Sequence, residues 1–497
     1  MAKRRFPDLF YNSVSMAGAI IASVTFGTIL VLMLIDLIWS SLPPYFGIVT
    51  YILLPSVLIL GLVIIPAGAF LQRKRLRRAI EEGTPSLPRI DLNDRRQRTA
   101  FFLFSTGTLL LMLFSAIGGY RAFEFTESVT FCGKICHDVM EPEYTTYLHS
   151  PHARVACIQC HVGPGASWYV KSKLSGAYQV YSVIFHKYPR PIPTPIRNLR
   201  PARETCEQCH WPQSFVGERR ITRAFYLEDS SNTRWTLDML VKIGRSTSGE
   251  AQRPPVHWHV THTVQYLPTD SSSQTIPWVR VVDTTGKSEV FETSNNPFTP
   301  DSIQKISIKT MDCMDCHNRP THVIKTPGDA VNDAMSADQI DPTIPWIKQT
   351  AVNALVPRYE NTKDAMDSIG IYVDSFYKEK YPELVTTRAA QIAQAVASVQ
   401  KIYRNNFFPY MRVDWRAYND DIGHENFPGC FRCHDGNHKN ADGQIIPNKC
   451  ETCHVILNQG AKLEESINLA GIEFQHPTDI GDAWKTGSCT DCHDGTQ

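Results

Sequence analysis

The chain has 497 residues, more than one simple core holds, so two or three domains are expected. Its formal net charge of +1 gives no electrostatic ground for a nucleic-acid partner. The mildly negative mean hydropathy of −0.22 averages a strongly apolar N-terminal part with a polar remainder.

Three N-terminal segments, 13–39, 45–71 and 99–120, are apolar enough to span a bilayer. A hydrocarbon core of about 30 Å needs about 20 such residues in a helix. Asp36, the one acid in the first span, belongs at the outer interface or against a helix partner. Lys3, Arg4 and Arg5 precede the first span, and a run from Arg73 to Arg98 separates the second from the third. The short loop between the first two spans is uncharged. Basic loops stay inside, so the N-terminus is expected in the cytoplasm and everything after Arg121 in the periplasm of a bacterial inner membrane. No small-residue cleavage site follows the first apolar run, which reads as an uncleaved signal anchor.

All 14 cysteines fall into seven pairs, and a histidine follows each pair directly. In chain order these are Cys132/Cys136/His137, Cys157/Cys160/His161, Cys206/Cys209/His210, Cys313/Cys316/His317, Cys430/Cys433/His434, Cys450/Cys453/His454 and Cys489/Cys492/His493. C-x-x-C-H is the attachment signal of c-type haem. Two thiols add across the vinyl groups of one haem, and the adjacent histidine ligates the iron. Zinc ribbons and disulfide frameworks need no histidine after each pair. Seven covalent haems are therefore expected, the first in a motif with three intervening residues instead of two.

The first motif begins with 11 residues between it and the third span, which places its haem at the membrane surface. After the second motif, Trp168, Tyr169, Tyr178, Tyr181 and Phe185 interleave with Lys171 and Lys173, a mixture that suits an interfacial helix. A proline-rich linker follows. Between motifs three and four lie two β-rich runs, the second with a hairpin turn at 283–286. From 329 to 411 the periodicity is helical, and the last 70 residues hold three motifs and little else. The expected architecture is a membrane protein with three transmembrane α-helices and a mainly α/irregular periplasmic multihaem region with a small β-rich insert. Its parts are a membrane anchor over 1–121, a tetrahaem unit over 122–328 with the insert at about 212–312, and a helical segment with a trihaem cluster over 329–497.

Each six-coordinate haem needs a second axial ligand. Ten histidines lie outside the motifs, enough for every iron, and Met140 stands three residues after His137.

The stretch from Phe131 to Trp211 resembles the NapC/NirT (NrfH-like) family of membrane quinol dehydrogenases, through FCGKICHDVMEPEY, SPHARVACIQCHVGPGASW, KSKLSG and LRPARETCEQCHW. The resemblance implies a four-haem core built on motifs one to four. It implies that His152, nine residues before His161, ligates haem 4, and that His322, five after His317, ligates haem 2. It assigns Met140 to haem 1, one residue later than in founding members, and Lys173 to the quinol pocket. The acid of that pocket has no match, since Gln179 and Val180 occupy the region; Glu141, Glu143 or His149 is the alternative proton acceptor. For haem 3, His257 or His259 in the HWHVTH run is favoured. For haems 5 to 7, His424, His438 and His476 are the histidines near by. Ordinary members have one span and four or five haems; three spans and seven haems are similar to the ImcH-type branch.

The expected function is that of a quinol dehydrogenase. It oxidises quinol or menaquinol from the membrane pool and passes electrons to periplasmic cytochromes or a reductase complex. The alternative is an electron-relay subunit of a larger membrane complex with no quinol site of its own. A terminal reductase is disfavoured, because every iron has a candidate second ligand.

Overall fold

The computed structural model describes residues 12–38, 49–79, 92–135, 137–163, 165–196, 199–211, 214–244, 255–283, 285–464 and 467–497. Cys136, the Lys3–Arg5 cluster and the loop between the first two spans lie outside these. Two compact units form, Met1–His137 and Asp138–Gln497.

In the first unit, three helices, Ser13–Ile38, Leu54–Ala79 and Arg95–Thr126, contain segments long and apolar enough to cross a membrane. The third qualifying segment, Ser105–Thr126, ends beyond the expected 120. The first two helices meet along small residues. A Cβ added to Gly61 would stand 2.9 Å from the Ala22 nitrogen, and one on Gly18 2.8 Å from the Gly61 carbonyl. Such close backbone approach is how helices associate where lipid is as apolar as leucine. Ser15 Oγ donates to the Ile65 carbonyl at 2.8 Å across the same seam, and Phe26 packs edge-on against Phe114 of the third helix. Ile20, Val24, Leu109 and Met112 point outward with more than half of their surface free, which lipid accommodates and water penalises. The third helix runs on to Thr126. Ser128 then caps the short helix Val129–Lys134, accepting from the Phe131 N–H at 3.0 Å, and this helix carries Cys132.

The second unit has its ordinary core where no haem motif lies. Helices Pro327–Ser336, Ile347–Leu355, Thr362–Lys380 and Ala389–Asn406 pack around fully buried Val331, Ile344, Leu355, Ile369, Tyr377 and Val399. Ala365, Ile369, Val373 and Tyr377 recur every four residues and make one apolar face. Thr326 and Asn361 cap two of these helices by accepting from Asp329 and Asp364 N–H groups. Lys348 is fully buried, its Nζ donating to the Gly328 carbonyl at 2.9 Å and Asn332 Oδ1 at 3.0 Å.

Strands β1 (Arg219–Tyr226), β2 (Arg234–Val241), β3 (Thr263–Leu267), β4 (Trp278–Val282), β5 (Ser288–Glu292) and β6 (Lys309–Thr310) fall inside the expected insert. β4 and β5 form the expected hairpin. Asp283 N–H bonds the Lys287 carbonyl, and Gly286 takes a φ of +87° that suits glycine. The sheet of β3 to β6 has the order β5-β4-β3-β6. β1 and β2 are joined by β7 (His454–Gly460) from the C-terminal cluster, which starts on the histidine of motif six. The first two strands of the insert and the cluster thus share one hydrogen-bonded sheet.

Candidate haem centres and their axial ligands

The described motif segments fold as helical turns of three to six residues, each containing the first cysteine. In motifs three, four, five and seven the histidine N–H bonds back to the carbonyl of the first cysteine, at 2.8–3.1 Å. This bond keeps the first cysteine and the histidine within one tight turn, as one attached haem requires.

Six motif histidines each face one histidine from outside the motifs. Ring centres are 6.4 Å apart for His161–His322, 6.1 Å for His210–His152 and 6.4 Å for His317–His257. They are 5.7 Å apart for His434–His259, 6.2 Å for His454–His424 and 6.0 Å for His493–His476. An imidazole nitrogen binds a transition metal at about 2.0 Å, so two rings across one iron have centres about 6 Å apart. The six pairs therefore fit six bis-histidine haem irons. Among the described residues no group of three or more His, Cys, Asp or Glu side chains could cage a metal ion, as a zinc site would require.

The outer histidines are also oriented for ligation. Nδ1 of His152 bonds the Pro320 carbonyl at 3.2 Å, that of His322 the Glu143 carbonyl at 2.9 Å, and that of His257 the Ile243 carbonyl at 3.1 Å. Nδ1 of His259 bonds the Val256 carbonyl at 2.8 Å, and that of His476 the Thr478 carbonyl at 2.8 Å. A carbonyl only accepts, so Nδ1 carries the proton and Nε2 keeps its lone pair for a metal. Burial lowers the pKa of His161, His257, His259, His317 and His434, and takes His322 and His454 down to about 4. Desolvation thus favours the neutral imidazole that ligation needs.

Four expected pairings change. His152 faces His210 of motif three instead of His317 of motif four, because its Nδ1 is tethered to Pro320. His257 lies opposite His317 of motif four instead of His210 of motif three. His259 faces His434 of motif five; on the short helix Trp258–Thr261 and its cap, residues two apart point to opposite sides and reach two different centres. Among the described residues, His438 faces no motif histidine. It is buried with Nδ1 at 2.8 Å from Asp435 and Nε2 at 2.6 Å from the Ile276 carbonyl. Both partners accept, so both nitrogens are protonated. Burial alone would lower its pKa, but the Asp435 and Ile276 bonds raise it. An imidazolium has no lone pair to give. The i, i+2 spacing of HWH was the available signal for two centres instead of one.

The sulfurs reveal the order of the centres. Cys160 lies within electrostatic reach of Cys209, and Cys206 donates a hydrogen bond to Cys313. Cys316 reaches Cys430 and Cys433, Cys453 reaches Cys430, and Cys489 reaches Cys450. Motifs two to seven therefore neighbour one another in the order in which the chain presents them. Motif seven joins this row through Cys489. Its second cysteine, Cys492, is exposed, as are Cys160, Cys209 and Cys450. Only its backbone is fixed, with the Cys492 N–H bonding the Cys489 carbonyl at 3.1 Å and its own carbonyl accepting from Gln497 Nε2 at 3.2 Å. A thioether to haem needs the turn that aims the sulfur, not burial by the polypeptide, since the porphyrin itself covers the bond.

Of the remaining candidates, Met140 and Glu141 sit on helix His137–Leu148, with Glu141 exposed. Glu143 is largely withdrawn from solvent, and burial raises its pKa against the opposing pull of Arg319. His149 is exposed, with Nδ1 at 2.8 Å from the Thr145 carbonyl. Lys173 is half-buried on helix Ala166–Ile184, its Nζ 5.0 Å from the centre of the Tyr169 ring.

The N-terminal-region model of the NapC/NirT cytochrome c family matches residues 94–191. Over 494 residues, 99% of this chain and 97% of the relative, the sequence is 42% identical to the cytochrome c-type protein ImcH of Geobacter sulfurreducens. The chain belongs to the NapC/NirT-type multihaem cytochromes c. As a member it is an inner-membrane electron-transfer protein with covalently bound haem c. No solved structure matches it.

Proposed function

We propose that this cytochrome carries seven haems, oxidises quinol on the periplasmic side of the membrane and delivers the electrons to a periplasmic acceptor. The observation that carries this reading is the row of six facing histidine pairs, ordered as the chain is ordered. Motif one completes the count, its Cys132 standing six residues beyond the last residue of the third apolar helix, Thr126. Haem irons with two axial ligands supply one-electron transfer without binding substrate. The chain's residues do the rest. Cysteine pairs, the exposed Cys492 included, would fix each group, and His152, His322, His257, His259, His424 and His476 would supply the second iron-binding imidazole for motifs three, two, four, five, six and seven. Met140 serves motif one. Lys173 binds a quinol oxygen, and Glu141, Glu143 or His149 takes up its proton. The buried, raised-pKa carboxyl of Glu143 suits such a base.

Purified protein mixed with a menaquinol analogue tests this directly by its haem absorbance. Reduction by quinol supports the proposal; full reduction by dithionite with none by quinol defeats it. The relay-subunit reading is favoured by one observation. Gly107 and Gly118 lie on one side of the third helix and meet no neighbour within 4 Å among the described residues, a face open to another helix. Gentle solubilisation that retains a stoichiometric membrane partner would support it.

A further inference from the structure

The helix Ala166–Ile184 packs by one edge only. Ser182 is buried, and Val183 leans on the cluster of Val139, Phe408 and Tyr418. On another face, Val170, Leu174, Tyr178, Tyr181 and Ile184 form a continuous stripe with 56%, 69%, 66%, 41% and 64% of their surface exposed, and Phe185 extends it at 59%. Their steps of four, four, three and three residues keep them within about one third of the helix circumference. Full exposure of such a stripe to water costs about 25 cal/mol for each Å² of apolar surface. A soluble helix normally turns this face to the core.

Charge identifies what covers it. Residues 166–190 contain Lys171, Lys173, Lys187 and Arg190 and no Asp or Glu, although the whole chain is nearly neutral. The first two lysines flank the stripe on opposite sides. Each Nζ lies over an aromatic ring, Lys171 at 4.7 Å from Trp168 and Lys173 at 5.0 Å from Tyr169. Lys187 donates to Tyr181 Oη at 2.6 Å. Aliphatic and aromatic side chains between amphipathic rings and cations match the layers of a lipid leaflet, from acyl chain to phosphate.

We propose that the Ala166–Ile184 helix lies in the headgroup layer of a membrane containing anionic lipid, a second attachment of this chain besides its three spanning helices. Val170, Leu174, Tyr178 and Tyr181 enter the acyl boundary, and Lys171 and Lys187 meet lipid phosphates. The helix starts five residues after His161, and Ser172 Oγ donates to the His161 carbonyl at 3.4 Å. The attachment therefore holds the motif-two centre at the lipid face. This inference does not depend on quinol chemistry at Lys173.

The test uses the full chain reconstituted in phosphatidylcholine vesicles with and without phosphatidylglycerol. With the native thiols bound to haem, an introduced cysteine is the reactive one. Leu174→Cys lies on the stripe and Gln179→Cys on the exposed opposite side. A charged, membrane-impermeant maleimide should label Leu174→Cys at least tenfold more slowly than Gln179→Cys. The added changes Lys171→Glu and Lys187→Glu should reduce that protection, most clearly in the anionic vesicles. Equal labelling at both positions overturns the proposal. So does protection that fades as the protein is diluted in lipid, which would mark a second copy as the cover. Quinol-driven reduction, read on the same samples, can fail without changing the labelling.

Discussion

Single imidazoles decide what each centre can do. His259→Ala leaves His434 without a facing ring, so one haem, the one on motif five, should turn high spin. His438→Ala should leave every haem low spin while removing a buried, doubly bonded imidazolium, a loss of about 1–3 kcal/mol of stability. Electron paramagnetic resonance of the ferric protein separates the two; a high-spin signal in His438→Ala, or none in His259→Ala, would reverse the assignment. A second residue-scale expectation concerns Asp238, buried on β2 and bonded to Arg220 at 2.6 Å. The guanidinium holds its carboxyl below the usual range. A depressed folded pKa contributes stability that is present above the unfolded value of about 3.9 and is lost as pH falls through the folded one. Asp238→Asn should thus lower the urea midpoint at pH 7, and the gap from wild type should close below about pH 4. A gap independent of pH would mean that packing, not charge, is at stake.

Among elements, those governed by local pattern were legible in the sequence. The spanning helices follow from apolar runs, the β4–β5 hairpin from Asp283 and Gly286, and the helices around Ile369 and Val399 from their spacing. The second axial ligands were not legible, because they depend on which distant segments meet. His259 precedes motif four in the chain yet faces His434 of motif five, and β7 leaves motif six to pair with β2. Family spacing assigns His152 to haem 4, whereas its ring faces His210 of motif three, and the Pro320 carbonyl that holds the ring is 168 residues away. Nor does any sequence rule bury Lys348, whose partners are the Gly328 carbonyl and Asn332 amide oxygen of the bundle and the Gln497 carbonyl from beyond motif seven. That bundle contains no haem motif, so its stability should be separable from the centres. Ile369→Ala should cost about 2–5 kcal/mol by the cavity it leaves and leave the low-spin spectrum of the folded protein unchanged. Loss of spectrum in still-folded protein would show that the bundle clamps the haems directly.

At the scale of the whole molecule, motifs two to seven neighbour one another in chain order, and motif one follows the spanning helices in sequence. Under the proposed function, such a row would carry electrons from a membrane donor toward a distant acceptor. The most direct measurement is made in vesicles loaded with menaquinol, with an oxidised water-soluble cytochrome c outside. The account predicts steady, quinol-dependent reduction of the external cytochrome, lost in Lys173→Met while the haems of that variant still reduce with dithionite. If the dithionite-reduced protein passes electrons to the external cytochrome but quinol drives none, the row conducts and its donor is something other than quinol.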